Sequence, residues 1–279
     1  MAIALALAAA ASWGLSDFLA GLASRRVSVP IVLLLVEGGG LVVIVAVTLL
    51  SGADFFDSSR DFWSAIAGGL SGVLGLGCFY RALAIGTMSV VAPISAAGVA
   101  LPVVVGIATG NRPSAITAVG LVAIIAGVVL ASREQHESEA AARTGRTAIV
   151  LALISAVGFG GFFALTDAPS DASVPWTLVC ARSAALPLVA AVIAYNRPAW
   201  PSPRLGLAIC AVGCIDLTAT ALVAIANTKG ALSVVAVVGG MYPVATVLLA
   251  AFVLHERVAA PQVVGIVSAL AGVALVAAG

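Results

Sequence analysis

Charged side chains are scarce in this chain. They make up 9% of its 279 residues, against about 25% in a typical soluble protein. Hydrophobic residues make up 62%. Folding alone cannot hide that much apolar surface from water, so part of the solvent must be lipid. The formal net charge is +1 and no basic stripe occurs, so no nucleic-acid partner is implied. The only histidines, His136 and His255, fall in expected loops without a convergent acid or nucleophile, and no catalytic residue is assigned. Cys78, Cys180, Cys210 and Cys214 fall in apolar stretches. No histidine or further thiolate completes a metal set, and they read as small packing residues. A phosphate loop ending in Lys-Ser/Thr is missing too, so neither direct ATP drive nor a cofactor is expected.

What the chain does have is a series of apolar stretches near 20 residues long, the length of a bilayer span. Breaks at Pro, Gly and charge clusters divide it into ten candidate spans: 2–22, 29–50, 62–84, 87–108, 113–131, 147–166, 174–194, 204–226, 230–253 and 261–278. The opening "MAIALALAAAASWG" lacks the basic start of a secretory signal and reads as a retained span. Only "SREQHESEAAARTGR" (Ser132 to Arg146) looks like a true aqueous loop.

The chain repeats itself. "GNRPSAITAVGLVAIIAGVVLA" from Gly110 matches "HERVAAPQVVGIVSALAGVALV" from His255, with Arg112, Gly120 and Gly127 against Arg257, Gly265 and Gly272, an offset of 145. "GTMSVVA" from Gly86 matches "GALSVVA" from Gly230, and Gly14 and Phe18 match Gly158 and Phe162, an offset of 144. "SVP" occurs at Ser28–Pro30 and again at Ser173–Pro175. The expected organisation is a first repeat at 1–131, a polar loop at 132–146 and a second repeat at 147–279, with five spans in each repeat. Five is odd, so the second copy must enter the membrane from the opposite side. The expected fold is an all-α membrane protein of ten transmembrane helices in two inverted five-helix repeats. Loop charges agree. Arg25 and Arg26 follow span 1 where Asp167 and Asp171 follow span 6, and Asp54, Asp57 and Asp61 follow span 2 where Arg197 and Arg204 follow span 7. By the positive-inside rule the termini lie outside and loop 132–146 inside.

"YRALAIGTMSVVAP", "GNRPSAITAVGLVAIIAGVVL" and "GALSVVAVVGGMYPVATVLLAAFVLHERVAAPQVVGIVSALAGVAL" resemble the EamA family of the drug/metabolite transporter superfamily. The resemblance covers the whole chain and is most specific around Tyr242-Pro243, Glu256-Arg257 and Gly265; "SWGLSDF" (Ser12 to Phe18) looks like the family's first helix. Repeat 1 departs with Asn111-Arg112 where Glu-Arg is usual, and with Glu37 where the family arginine of the second helix is matched by Arg182 in repeat 2. Repeat 2 departs with Gly158-Phe159 in place of Trp-Gly. The resemblance implies a ten-helix carrier in the cytoplasmic membrane, often an exporter of metabolites or amino acids.

A charge in hydrocarbon costs about 2.5–3.5 kcal/mol on insertion scales, so each one needs a reason. Asp17, Glu37, Arg182 and Asp216 are deep and are expected to line a substrate or coupling-ion pathway. Glu37 and Arg182 are equivalent positions, about 12 Å along their helices and near the midplane of a core about 30 Å thick. They are expected to pair, either as a structural ion pair or as part of the pathway. Trp13, Phe18, Phe162, Trp176 and Tyr242 are candidate cavity-lining aromatics. Pro93, Pro102, Pro187 and Pro243 are candidate kinks or hinges. Together these predict a secondary transporter working by alternating access on a small polar or amphipathic solute such as an amino acid, with protons a candidate coupling ion and export the expected direction. An integral membrane enzyme and a non-transporting scaffold are the alternatives.

Overall fold

Ser28 takes an extended conformation ahead of Val29-Pro30, and helix α2 (Val29–Ser51) starts there. A proline in the first helical turn forfeits no hydrogen bond and already holds the helical φ. The helix stops at Gly52, whose φ of 63° is a left-handed cap that glycine adopts without strain. The second Ser-Val-Pro does the same work: Ser173 is extended (φ −162°, ψ 100°) inside the long helical run Glu139–Asn196 and divides it into two arms. Equal local sequences thus start equal helices.

The computed structural model describes residues 1–101, 114–131, 139–227, 241–256 and 260–278. Around α2 stand α1 (Ala2–Ser24), α3 (Ser59–Ile85), α4 (Met88–Ala96), α5 (Ala115–Ala131), the two-armed α6 (Glu139–Asn196), α7 (Pro203–Asn227), α8 (Tyr242–Val253) and α9 (Ala260–Ala278), with no strand among the described residues. Among the described residues six stretches are long and apolar enough to cross a membrane: Ala2–Ser24, Val29–Ser51, Ser59–Ile85, Gly145–Thr166, Ala168–Asn196 and Pro203–Leu222. Shorter apolar helices occur at Ala115–Gly127, Tyr242–Val253 and Val263–Val276. Leu50, Trp63, Leu207 and Phe252 are exposed, as expected where the outer solvent is hydrocarbon. The chain is a multi-pass membrane protein.

The expected loop and the observed helix differ at one end. Glu139 to Arg146 form the first turns of α6; their Ala, Arg and Glu content favours a helix even though it is polar. Residues 132–138 lie outside the described set. The stretch between the arms also stays helical up to Ser173, through Pro169, where the sequence suggested a loop.

The halves interleave. α3 packs chiefly on α6, α7 on α1 and α2, and α5 on α9. Glycine makes these seams close. A Cβ on Gly69 would strike the main chain of Ala181, one on Gly213 the main chain of Val36, and one on Gly39 the carbonyl of Cys210. In the α5–α9 seam Gly120 meets Gly272, and Gly127 meets Gly265 and Ala269. One number rises as the other falls, so these helices run antiparallel. The Ser268 hydroxyl donates to the Ala123 carbonyl at 3.0 Å across the same seam.

At one end of the bundle Phe55 stacks edge-on to Trp176 (4.9 Å) and Phe62 on Trp63 (5.1 Å), a grouping typical of a membrane boundary. A second tie involves Glu256. His255 is left-handed (φ 54°), and Glu256 caps the start of α4, accepting from the Met88 N–H at 3.1 Å and from the Ser89 N–H and hydroxyl at 3.0 and 2.9 Å. Its carboxylate also meets Arg25 at 3.5 Å, and Arg25 donates to the Leu83 carbonyl. An anion at a helix N-terminus satisfies unpaired N–H groups and the helix dipole together.

Candidate functional site

The site is built on three helices. α2 supplies Glu37, the second arm of α6 supplies Arg182, and α7 supplies Asp216. The Arg182 guanidinium holds both acids, donating through one terminal nitrogen to Glu37 at 3.2 Å and through the other to Asp216 at 2.5 Å. The side chains are 10%, 12% and 25% exposed for Arg182, Glu37 and Asp216. The expected Glu37–Arg182 pair therefore exists. Asp216, which had no partner from sequence, completes it.

The glycines after Glu37 explain how an arginine fits so deep. A Cβ at Gly40 would lie 2.5 Å from an Arg182 terminal nitrogen and 2.9 Å from its guanidinium carbon. Gly40 thus clears the space the guanidinium fills, while Gly39 lets α2 sit against α7. Gly38 faces open space.

Asp17, on α1, is 8% exposed. It belongs to no hydrogen bond or ion pair among the described residues. Tyr80, from α3, is 1% exposed. Tyr242 stands at the start of α8, and its ring meets that of Trp13 edge-on at 6.2 Å. Close packing at Gly14, whose Cβ would strike Ala245, and a hydrogen bond from the Thr246 hydroxyl to the Gly14 carbonyl at 3.2 Å hold α8 against α1 here. Three of the four deep charges expected from sequence thus converge, one guanidinium between two carboxylates, while Asp17 is buried on α1.

The sequence matches the model of the EamA-like transporter family twice, over residues 1–133 and 146–278. The chain belongs to the EamA-like transporter family. Among solved structures, 20 chains match. One, described as the crystal structure of a protein, superposes with a TM-score of 0.67 at 15% identity, covering 98% of this chain and 95% of that one. At that identity the likeness speaks for the fold alone. No curated protein matches the sequence significantly.

Within this EamA-like chain the aromatic expectations divide. Trp13 and Tyr242 meet edge-on where α1 and α8 pack together. Phe18 is 3% exposed and belongs to the main core, so it packs rather than lines. Trp176 sits in the aromatic end cluster and donates to the Ala53 carbonyl at 2.8 Å, where an indole bridges apolar and polar surroundings. Phe162 packs on α3 opposite Gly72. Of the prolines, Pro93 lies inside α4, which tightens into a 3-10 turn at Ala97–Val99. Pro187 lies inside α6. Pro243 occupies the first turn of α8 and breaks nothing there. Pro102 lies outside the described residues. Tyr80, Gly39 and Gly40 were not singled out by sequence. The nearest signal was a buried tyrosine beside Arg81 in "YRALAIG" and glycines directly following Glu37.

Proposed function

We propose that this chain is a secondary transporter that carries a small polar or amphipathic metabolite across the cytoplasmic membrane by alternating access, outward in direction, and that it has no enzymatic role. The observation that carries this reading is the ionic cluster Glu37–Arg182–Asp216 in the bundle interior. Ionisable groups are held inside a membrane protein chiefly where they face a pathway or a partner, and family membership supports the pathway.

The machinery in this reading is ten helices in two inverted repeats. The contact pattern supports it. At an offset of 144–145, Gly69–Ala181 and Gly213–Val36 are one contact made twice. Ala123 and Ser268 are equivalent, as are Glu37 and Arg182, and each pair touches its own counterpart. A residue that meets its own equivalent lies beside a two-fold axis. An axis in the membrane plane puts the ligand site at the midplane between repeats. Protons are the coupling ion in this scheme, since a cluster with more carboxylates than cations can exchange one.

The test is flux. Purified protein in proteoliposomes, loaded with a metabolite mixture under an imposed pH gradient, should show protein-dependent exchange of a subset of solutes. Flux matching that of protein-free liposomes for every solute would remove the transporter reading.

A further inference from the structure

We infer that Glu256 is the latch of one gate. It fastens the end of α8 to the adjoining ends of α1, α3 and α4, the pathway opens at that end only when the fastening breaks, and the protein therefore rests closed there. This deepens the alternating-access reading and rests on it.

Four helix ends meet at Glu256. Its carboxylate takes the Met88 N–H and the Ser89 N–H and hydroxyl at the start of α4, and it reaches Arg25 after α1 at 3.5 Å. Arg25 in turn donates to the Leu83 carbonyl near the end of α3. The packing beneath is tight. Leu83, Met88 and Ser89 are fully buried, and a Cβ on Gly21 of α1 would lie 2.9 Å from the Met88 methyl and 3.0 Å from Leu83. The Glu256 side chain itself is 13% exposed. Its hold on α8 is fixed by the backbone. His255 is left-handed (φ 54°) without being glycine, and the Glu256 N–H returns to the Ala250 carbonyl at 3.4 Å, so Glu256 follows the last turn of α8. Uncommon backbone of this kind persists where its surroundings over-determine it, and it gathers at switch regions.

The fastening crosses from one copy to the other. Arg25, Leu83, Met88 and Ser89 lie in the first copy and Glu256 in the second, and alternating access moves one copy against the other. A contact made in one conformation alone biases the equilibrium toward that conformation by its own worth. This contact is also written only once. At the offset of 144–145, Glu256 corresponds to Asn111, and Arg25 to Pro169 or Ser170, so neither the acid nor the cation recurs at the counterpart positions. A carboxylate accepting from backbone N–H groups makes bonds roughly twice as strong as a neutral acceptor does. The end that holds Glu256 is therefore the more firmly shut of the two.

Hydrogen–deuterium exchange read by mass spectrometry, on the full chain in lipid nanodiscs, tests this without labels. In Glu256→Ala, segments 20–28 and 246–254 should exchange faster by about two- to thirtyfold, the range that loss of an N-cap gives. The opposite end, segments 59–66 and 174–180, where Trp176 donates to the Ala53 carbonyl, should exchange more slowly. A cap with no part in gating would speed exchange at the start of α4 alone. Glu256→Gln keeps one acceptor oxygen and loses the charge, and it should shift both ends in the same directions by less. Gel-filtration elution and thermal midpoint show whether each variant is folded; should Glu256→Ala not fold, Glu256→Gln decides. Unchanged exchange, a change confined to α4, or faster exchange at both ends overturns the inference. Opposed changes at the two ends without any liposome flux would keep the latch and remove the transport reading. Flux by the wild-type protein with a change confined to α4 in the variant would do the reverse.

Discussion

Replacing Arg182 by methionine should be the most damaging single change in the bundle interior. The substitution strands two carboxylates at once, Glu37 at 12% exposure and Asp216 at 25%. Breaking a buried ion pair by removing one partner costs about 3–5 kcal/mol, and every 1.4 kcal/mol is about tenfold in the equilibrium. Arg182→Met should therefore raise the unfolded fraction by at least about a hundredfold. Glu37→Gln should be milder, about 1.5–3 kcal/mol, the worth of a hydrogen bond to a charged group, because Asp216 still holds the other arm of the guanidinium. The combined variant Glu37→Leu, Arg182→Met, Asp216→Leu should recover most of the loss, since an apolar replacement of a whole buried ionic group is often neutral or stabilising. Denaturant unfolding in micelles, followed by tryptophan fluorescence, measures all three. The reasoning is refuted if Arg182→Met lies within about 1 kcal/mol of the wild type, or if the combined variant is no better than the single one. Transport separates the two roles of the pair. A purely structural pair leaves flux per folded molecule intact in Glu37→Gln, and a pathway pair abolishes it or its pH dependence.

Three further outcomes are expected. Gly213→Ala and Gly69→Ala should each lose about 1–3 kcal/mol by overpacking, while Gly38→Ala, whose Cβ meets nothing within 4 Å, should gain about 0.5–1 kcal/mol from helix propensity; thermal midpoints should lie below the wild type for the first two variants and above it for the third. Glu256→Ala should cost about 0.5–2 kcal/mol through the lost cap on α4, and Arg25→Ala should cost less, its ion pair being more exposed; a double-mutant cycle reads the coupling. A C-terminal reporter that works only in the cytoplasm should stay inactive if orientation follows the arginines, which the positive-inside rule assigns to the cytoplasmic side; activity would reverse the orientation.

The parts of this fold that were legible in the sequence are those written twice. Ser-Val-Pro at two places starts two helices, and the offset between the copies by itself pairs Glu37 with Arg182. What is written once was not legible. Asp216 has Ser71 or Gly72 at its equivalent position, so nothing in the other copy pointed to its role. Glycine is equally silent: in "EGGG" the three glycines look alike, yet one admits a helix, one admits a guanidinium and one faces open space. Aromatics mislead for a related reason. In a membrane chain the core and the lipid are both apolar, so Phe18 in the core and Trp176 at the end cluster carry no sequence mark that separates them from Trp13. Helix ends were blurred where a polar but helix-favouring segment, Glu139 to Arg146, met an apolar one.

The glycine seams have a consequence for descent. At Gly39, Gly69 and Gly213 the first added carbon would strike main-chain atoms of the facing helix. A side chain opposite could shrink by mutation to make room, but a carbonyl is the same in every residue. No second-site change on the facing helix can therefore compensate, and these positions are closed to gradual drift in a way that an ordinary leucine–valine contact is not. Novelty in such a lineage has to enter elsewhere, through side chains such as Trp13, Asp17 and Tyr242, while the seams beside them stay glycine.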